Sequence, residues 1–125
     1  MSQISQLNQS WKIGVLFSQT GTLSVIERSQ LQATLLAVQE VNDAGGVEGR
    51  EIEPIVYDPC SETVRYGELA EKLFTDDGVN VIIGCYSSSA RKEVLPIVER
   101  RNALFFYPTL YEGFEYSGNV IYGGA

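Results

Sequence analysis

The chain has 125 residues, 44% of them hydrophobic, and a formal net charge of −7 at neutral pH. This length supports one compact domain with its own core rather than two domains. Only nine residues are lysine or arginine, so the sequence offers no basic surface for phosphates and direct nucleic-acid binding is not expected. No apolar run in the sequence approaches the roughly 20 residues that a membrane span requires.

The sequence contains no histidine, which removes the commonest general base and the commonest metal ligand. Cys60 and Cys85 are too far apart for a CxxC pair, and two thiols without histidine make a poor zinc site. We expect two free thiols that are buried or half-buried, with a disulfide as the alternative in an exported protein. The sequence therefore predicts no enzyme, no metal site and no cofactor.

The first ten residues are polar and lack the basic start and apolar stretch of a signal peptide. We expect residues 1–10 to form a disordered leader and residues 11–125 to form the domain. A cytoplasmic location is expected, or a periplasmic one if a signal peptide has been removed.

The first third of the chain predicts a strand, a loop and a helix in that order. Lys12–Phe17 is a short apolar run typical of a strand buried on both faces, and Ser18–Thr22 is a run of turn-forming residues. Ser24 and Glu27 have the spacing of a capping box, which predicts the start of a helix. Gly45-Gly46 predicts its end.

A second strand and a second helix are predicted next. Ile52–Tyr57 is the strand, and Pro54 places it at a sheet edge because proline lacks a backbone donor. Ser61 is predicted to cap the helix, which ends at Asp76–Gly78. Val79–Gly84 is apolar enough for a central third strand.

A third helix follows, with an apolar stripe that begins at Ala90. Pro96 lies inside this pattern, so we expect a kink or a break there. Arg91 and Lys92 lie in its first turns, where an anion is within reach but a surface position is favoured.

Ala103–Tyr107 and Val120–Tyr122 are the fourth and fifth predicted strands. Between them, Pro108–Gly118 is longer than most connections, which makes it a candidate for function. The order of elements predicts an α/β fold with a doubly wound, mainly parallel five-stranded sheet and helices on both faces. The expected strand order is the flavodoxin-like 2-1-3-4-5.

Ligands of open parallel sheets bind beyond the carboxyl ends of the strands. After the third strand, Ser87-Ser88-Ser89 places hydroxyls and free N–H groups at a helix N-terminus, which favours a carbonyl oxygen or an anion. Alternatively, one serine merely caps the helix. After the fourth strand, Tyr107-Pro108-Thr109 offers an aromatic wall, a rigid turn and a hydroxyl, or else ordinary packing at a strand end.

The pieces GCY, RKxVxPxVER, YPT and YEGFEYS occur in this order between Val79 and Ala125. With IGVLFSQTG and YDP upstream, this pattern resembles the amide-sensing regulators of aliphatic amidase operons, within the type I periplasmic-binding-protein family. It is more distantly similar to the urea- and branched-chain amino-acid-binding proteins of ABC transporters. The resemblance extends from Trp11 onward.

The resemblance implies a fold in which two α/β lobes close over a small solute, with this chain as the first lobe and the second lobe outside the sequence. It places Ser88 and Thr109 in polar contact with the ligand. Tyr86 and Tyr107 would form the wall, and Pro108 would shape it. Because half of the cleft would be absent, a single lobe is expected to bind weakly.

The function implied by the resemblance is a non-catalytic sensor of an aliphatic amide or a urea-like solute. In that branch of the family, the sensor sequesters an antiterminator protein until an inducing amide binds. One alternative is the substrate-binding component of an ABC transporter for urea or branched-chain amino acids. Another is a truncated lobe that only self-associates, as a homodimer, through the surface left by the missing lobe.

Overall fold

A computed structural model of the chain describes residues 9–109, 115 and 117–123. Eight elements alternate along these residues. The strands are β1 (Trp11–Leu16), β2 (Ile52–Tyr57), β3 (Val81–Gly84), β4 (Leu104–Tyr107) and β5 (Val120–Tyr122). The helices are α1 (Ser24–Asp43), α2 (Thr63–Thr75) and α3 (Ser88–Arg100). Among the described residues, no helix is both long enough and apolar enough to cross a bilayer.

The strands form one sheet in the order β2-β1-β3-β4-β5, and every neighbouring pair is parallel. The predicted fold class and strand order are thereby confirmed. β2 is an edge strand, as Pro54 indicated, and Pro54 lies opposite Ile13 of β1. The order reverses between β1 and β3, so the loops that follow these two strands diverge around a crevice.

Alternate residues of the central strands enter two separate cores on opposite faces of the sheet. Leu16 and Ile82 belong to the larger core, beneath α2 and α3. Val15 belongs to the smaller core, beneath α1, with Ile83 packed against it. This alternation follows from the two-residue period of a strand, and it confirms helices on both faces.

The predicted capping box at the start of α1 is wrong. The helix begins after Leu23, which provides no side-chain cap, and Ser24 is already helical. Glu27 is fully buried and accepts hydrogen bonds from the Ser18 N–H and from the Tyr66 hydroxyl. A tertiary contact has therefore taken the side chain that the local pattern assigned to capping. The end of α1 is as predicted, because Gly45 and Gly46 follow it with φ of 111° and 76°.

The prediction that Ser61 caps the second helix is also wrong. The residue before α2 is Glu62, and it makes no side-chain cap. The Ser61 hydroxyl instead accepts from the Leu23 N–H at 3.0 Å and donates to the Thr20 carbonyl at 2.9 Å. Ser61 therefore ties the loop after β2 to the loop after β1.

Pro96 does not break α3, which runs without interruption from Ser88 to Arg100. Proline removes one backbone hydrogen bond from the helix. On either side of it, however, the side chains of Val94 and Val98 are fully buried. Their packing against the larger core holds the helix together through the proline.

Residues 1–8 of the predicted leader lie outside the described residues. Within the described part, Ser10 donates to the Glu53 carboxylate at 2.8 Å, and the Arg50 guanidinium donates to the Gln9 carbonyl. Most of the long loop between β4 and β5, namely residues 110–114 and 116, also lies outside the described residues.

The end of β3 approaches β1 so closely that only glycine fits there. A Cβ added to Gly84 would lie 2.4 Å from the Leu16 carbonyl oxygen. The next residue, Cys85, has φ of 71° and donates its N–H to the same carbonyl at 2.9 Å. This contact sets the direction in which the chain leaves the sheet toward α3.

We expect Gly84→Ala to lower the free energy of unfolding by about 2 kcal/mol or more, since the backbone of β1 or β3 must shift to admit the methyl group. Urea denaturation at neutral pH measures the change. Gly118→Ala is the matched control, because a Cβ at Gly118 meets no atom of the described residues within 4 Å, and it should stay within about 0.5 kcal/mol of wild type. Equal stabilities of the two variants would contradict the argument.

Candidate ligand-binding site

A polar cavity of about 520 Å³ lies beyond the carboxyl ends of β3 and β4. It brings together all five residues predicted for ligand contact and adds three more. Its lining is Gln30, Tyr86, Ser87, Ser88, Ser89, Tyr107, Pro108 and Thr109. None of these side chains carries a formal charge, and the cavity size suits a small solute.

The start of α3 forms one wall of this cavity. Ser87 is the N-cap, and its hydroxyl oxygen accepts from the Ala90 N–H at 3.2 Å. The N–H groups of Ser88 and Ser89, in the first turn, have no partner within the helix because they precede its first hydrogen-bonded turn. Ser87 therefore caps the helix, while Ser88 and Ser89 present donors to the cavity at the positive end of the helix dipole.

The Thr109 hydroxyl also lines the cavity and already has two partners. It donates to the Cys85 carbonyl at 3.2 Å and accepts from the Gln30 side-chain amide at 2.9 Å. Thr109 thus links the loop after β4 to the loop after β3 and to α1. Gln30 was not predicted, because nothing in its helical context distinguishes it from the exposed glutamines of α1.

Tyr107 is a wall residue rather than a polar contact. Its side chain is 1% exposed, and its hydroxyl donates to the Tyr86 carbonyl at 2.8 Å. This bond fixes the loop that carries Tyr86 against the end of β4. Pro108, which follows Tyr107, is exposed and lies at the rim of the cavity.

Arg91 is buried, which corrects the expected surface position. It is 1% exposed, and its Nε lies 2.9 Å from a Glu115 carboxylate oxygen. Its guanidinium carbon lies 4.8 Å from the centre of the Tyr107 ring, a cation–π distance. The sequence pattern missed this because the acidic and aromatic partners come from the other end of the β4–β5 connection and from β4.

A second cavity, of about 630 Å³, runs between α1 and the sheet. Its lining is mostly aliphatic, with Phe106 and Ile83 on the sheet side and Val38 on the helix side. It shares Gln30 and Pro108 with the polar cavity. Although it is larger, it lacks the converging polar groups that orient a small polar solute, so the polar cavity is the better candidate.

A buried carboxylate, Glu27, is bonded to the loop after β1 and to α2. The Ser61 N–H donates to the Ser18 hydroxyl at 2.8 Å, and that hydroxyl lies 2.7 Å from the Tyr66 hydroxyl. The Tyr66 hydroxyl lies 2.8 Å from both carboxylate oxygens of Glu27 and donates its proton to them. Because the Tyr66 proton is already donated to Glu27, Ser18 must donate to Tyr66. Each hydrogen bond in this series from Ser61 therefore donates in the direction of Glu27.

Burial raises the pKa of Glu27, and the hydrogen bonds from Ser18 and Tyr66 offset only part of the rise. Burial likewise raises the pKa of Tyr66, so its hydroxyl remains a donor. Burial and the neighbouring Glu27 charge raise the pKa of Cys85. In the Asp58 carboxyl, by contrast, desolvation is outweighed by hydrogen bonds from Gln19, Cys60 and Thr20, and its pKa falls.

Both cysteines are free, as predicted. Cys85 is buried, whereas Cys60 is exposed, which corrects its expected burial. Within the described ranges, no group of three or more Cys, Asp and Glu side chains comes together that could hold a metal ion.

The comparisons with known proteins establish the family. The sequence pattern of the periplasmic binding protein domain matches residues 11–125. The chain belongs to this family. The relatives found are named as binding proteins rather than as enzymes, which agrees with the predicted absence of catalysis.

One relative is the leucine-, isoleucine-, valine-, threonine- and alanine-binding protein of Pseudomonas aeruginosa, 29% identical over 98 residues. That alignment covers 78% of this chain and 26% of the relative. A second is Leu/Ile/Val-binding protein homolog 8 of Brucella abortus, 35% identical over 78 residues, which are 62% of this chain and 19% of that protein.

Among solved structures, the branched-chain amino acid transporter substrate-binding protein LivJ of Streptococcus pneumoniae, in complex with isoleucine, matches with a TM-score of 0.80. It is 27% identical, and the match covers 84% of this chain and 30% of that one. The chain thus spans less than a third of the relatives it matches. These relatives are named for branched-chain amino acids, and together with the domain match they confirm the type I periplasmic-binding-protein family. The amide specificity stays a prediction.

We expect Glu27→Gln to change how stability depends on pH. Between about pH 4.3, the ordinary value for an unfolded glutamate, and the raised pKa of Glu27, the folded state binds more protons than the unfolded state. Wild-type stability therefore loses a contribution as pH rises through this window. Glutamine does not titrate, so the variant gains stability relative to wild type with rising pH and the difference levels off above the raised pKa.

Urea denaturation from pH 4.5 to pH 8 measures this difference. The control is Glu40→Gln, on an exposed position of the same helix, for which we expect a curve parallel to that of wild type. A Glu27→Gln curve parallel to wild type across the whole range would show that the buried carboxyl has an ordinary pKa.

Proposed function

We propose that the chain supplies one face of the solute site of a non-catalytic binding protein whose ligand is a small aliphatic amino acid. The single observation that carries this proposal is the polar cavity at the carboxyl ends of β3 and β4, which is lined both by the first turn of α3 and by Thr109. The relatives support it, because their names describe the binding of leucine, isoleucine and valine.

The chemistry of the two walls suits the head group of such a ligand. A carboxylate bound at the first turn of α3 accepts hydrogen bonds from Ser88 and Ser89 and is favoured by the helix dipole. The nitrogen of the ligand then lies toward Thr109. Tyr86 and Tyr107 provide an aromatic wall for its carbon atoms.

A second candidate ligand is a neutral aliphatic amide or urea. It is favoured by the uncharged lining of the cavity, which satisfies an amide but offers an ammonium group no carboxylate. The motif resemblance favours the same ligand. In this second proposal the protein is a cytoplasmic sensor with an antiterminator as its partner, whereas in the first it is an exported transport component.

Titration of the ¹⁵N-labelled chain with leucine, isoleucine, acetamide, butyramide and urea tests the proposal and ranks the ligands. We expect amide shifts concentrated in residues 85–89 and 107–109. Because the cavity is open on one side, we expect dissociation constants of about 1 mM or weaker. Absence of shifts with all five solutes, for the chain and for any longer form of the protein, would rule out the proposal.

We expect Ser88→Ala and Thr109→Val to weaken binding of the preferred solute, by about 2-fold and about 10-fold respectively. The serine change removes one hydroxyl and leaves the helix N–H groups, whereas the threonine change removes the polar group of the opposite wall. Ser29→Ala, on an exposed position of α1, is the control and should bind as wild type does. Equal affinities for all variants would place the ligand elsewhere.

A further inference from the structure

Gln30 connects α1 to the polar cavity through a single hydrogen bond. Its Nε2 donates to the Thr109 Oγ1 at 2.9 Å, across 79 positions of sequence. Gln30 lines the polar cavity and the apolar cavity alike, so it lies on the boundary between them.

The two bonds of Thr109 determine where its hydroxyl proton lies. The Cys85 carbonyl cannot donate, so the proton must lie between the Thr109 Oγ1 and that carbonyl, which are 3.2 Å apart. The Gln30 amide is a donor, so it occupies one of the two lone pairs of the hydroxyl oxygen. The remaining lone pair is an acceptor.

The opposite orientation of the Gln30 amide is less favourable. It would place two carbonyl oxygens, Gln30 Oε1 and that of Cys85, around one hydroxyl proton, and it would leave the buried NH₂ group without an acceptor. In the orientation observed, Gln30 Oε1 is buried and lacks a hydrogen-bond partner among the described residues. Buried acceptors of this kind are uncommon and call for an explanation beyond packing.

We propose that Gln30 is a positioning residue that holds the Thr109 hydroxyl as a hydrogen-bond acceptor toward the ligand. The site then selects solutes with an N–H donor, either an amide NH₂ or an ammonium group, at the Thr109 side. This inference rests on the proposed function and specifies the polarity of the same cavity. The α3 wall donates and the Thr109 wall accepts, so a ligand binds with its oxygen toward α3 and its nitrogen toward Thr109.

The test compares solutes that differ only in the group facing Thr109. Acetate carries an acceptor oxygen where acetamide carries NH₂, and 4-methyl-2-oxopentanoate carries a carbonyl where leucine carries its ammonium group. The pair that contains the preferred solute is titrated into the ¹⁵N-labelled chain. The quantity compared is the affinity for the solute with the N–H donor divided by the affinity for the solute with the acceptor oxygen. In Gln30→Met, which keeps the length of the side chain but cannot donate, only the bond to the Cys85 carbonyl holds the Thr109 side chain, so its oxygen loses the fixed position from which it accepts from the ligand.

We expect this ratio to fall at least about tenfold in Gln30→Met. In Thr109→Val the ratio also falls, and adding Gln30→Met to that variant should change it no further, because Gln30 acts through the Thr109 hydroxyl. Gln32→Met, on an exposed position of the same helix, should leave the ratio unchanged. A ratio unchanged in Gln30→Met, with the solute still bound, would overturn this inference and leave the proposed function intact; failure of the wild-type chain to bind any solute would overturn both.

A second measurement needs no ligand and no change at Gln30. The side-chain amide protons of Gln30 should move upfield in spectra of Thr109→Val and keep their positions in Thr109→Ser, which retains the acceptor oxygen. Identical Gln30 amide shifts in wild type and Thr109→Val would show that the bond is absent.

Discussion

The close contact between the Leu16 carbonyl and the end of β3 is the constraint on which the candidate site depends. With Gly84 against this carbonyl and the Cys85 N–H bonded to it, the chain leaves the sheet at a fixed angle, with Cys85 in a left-handed conformation. The Cys85 carbonyl is thereby held where Thr109 donates to it. One backbone contact between two strands thus sets the position of the α3 N-terminus and of the carbonyl to which the Thr109 hydroxyl donates.

The fold was predictable because its signals are local and agree with one another. Each of these signals depends on residues that are close in sequence: the short apolar strands, the glycines after α1 and the proline in an edge strand. The alternation of strand and helix then limits the topology. The wrong predictions concern polar side chains whose partners are distant in sequence. Glu27 and Ser61 both fit capping patterns in the sequence, yet each is bound by residues roughly 40 positions away, which no helix pattern reveals. Arg91 is buried for the same reason, since its partner Glu115 lies beyond the next strand.

The candidate site shows the same division between local and long-range information. The strand-end rule and the family resemblance named Ser88, Thr109, Tyr86, Tyr107 and Pro108, and the structure gathers all five around one cavity. Their role toward a ligand stays a prediction. Gln30 escaped notice because it is one of several glutamines on an amphipathic helix, and only the tertiary structure brings its amide to Thr109.

The polarity of the cavity bears on how an amino acid and an amide could be distinguished. In the proposed binding mode both place an oxygen at the α3 donors and a nitrogen at the Thr109 acceptor, so the two head groups would bind in the same orientation. They differ in charge, because the nitrogen of an amino acid is cationic and that of an amide is neutral. The lining residues are uncharged, so in the proposed mode either nitrogen would donate to a neutral oxygen. Since desolvating an unpaired ammonium group is costly, selection of an amino acid requires a carboxylate from outside this lining, and without one the cavity favours the neutral amide.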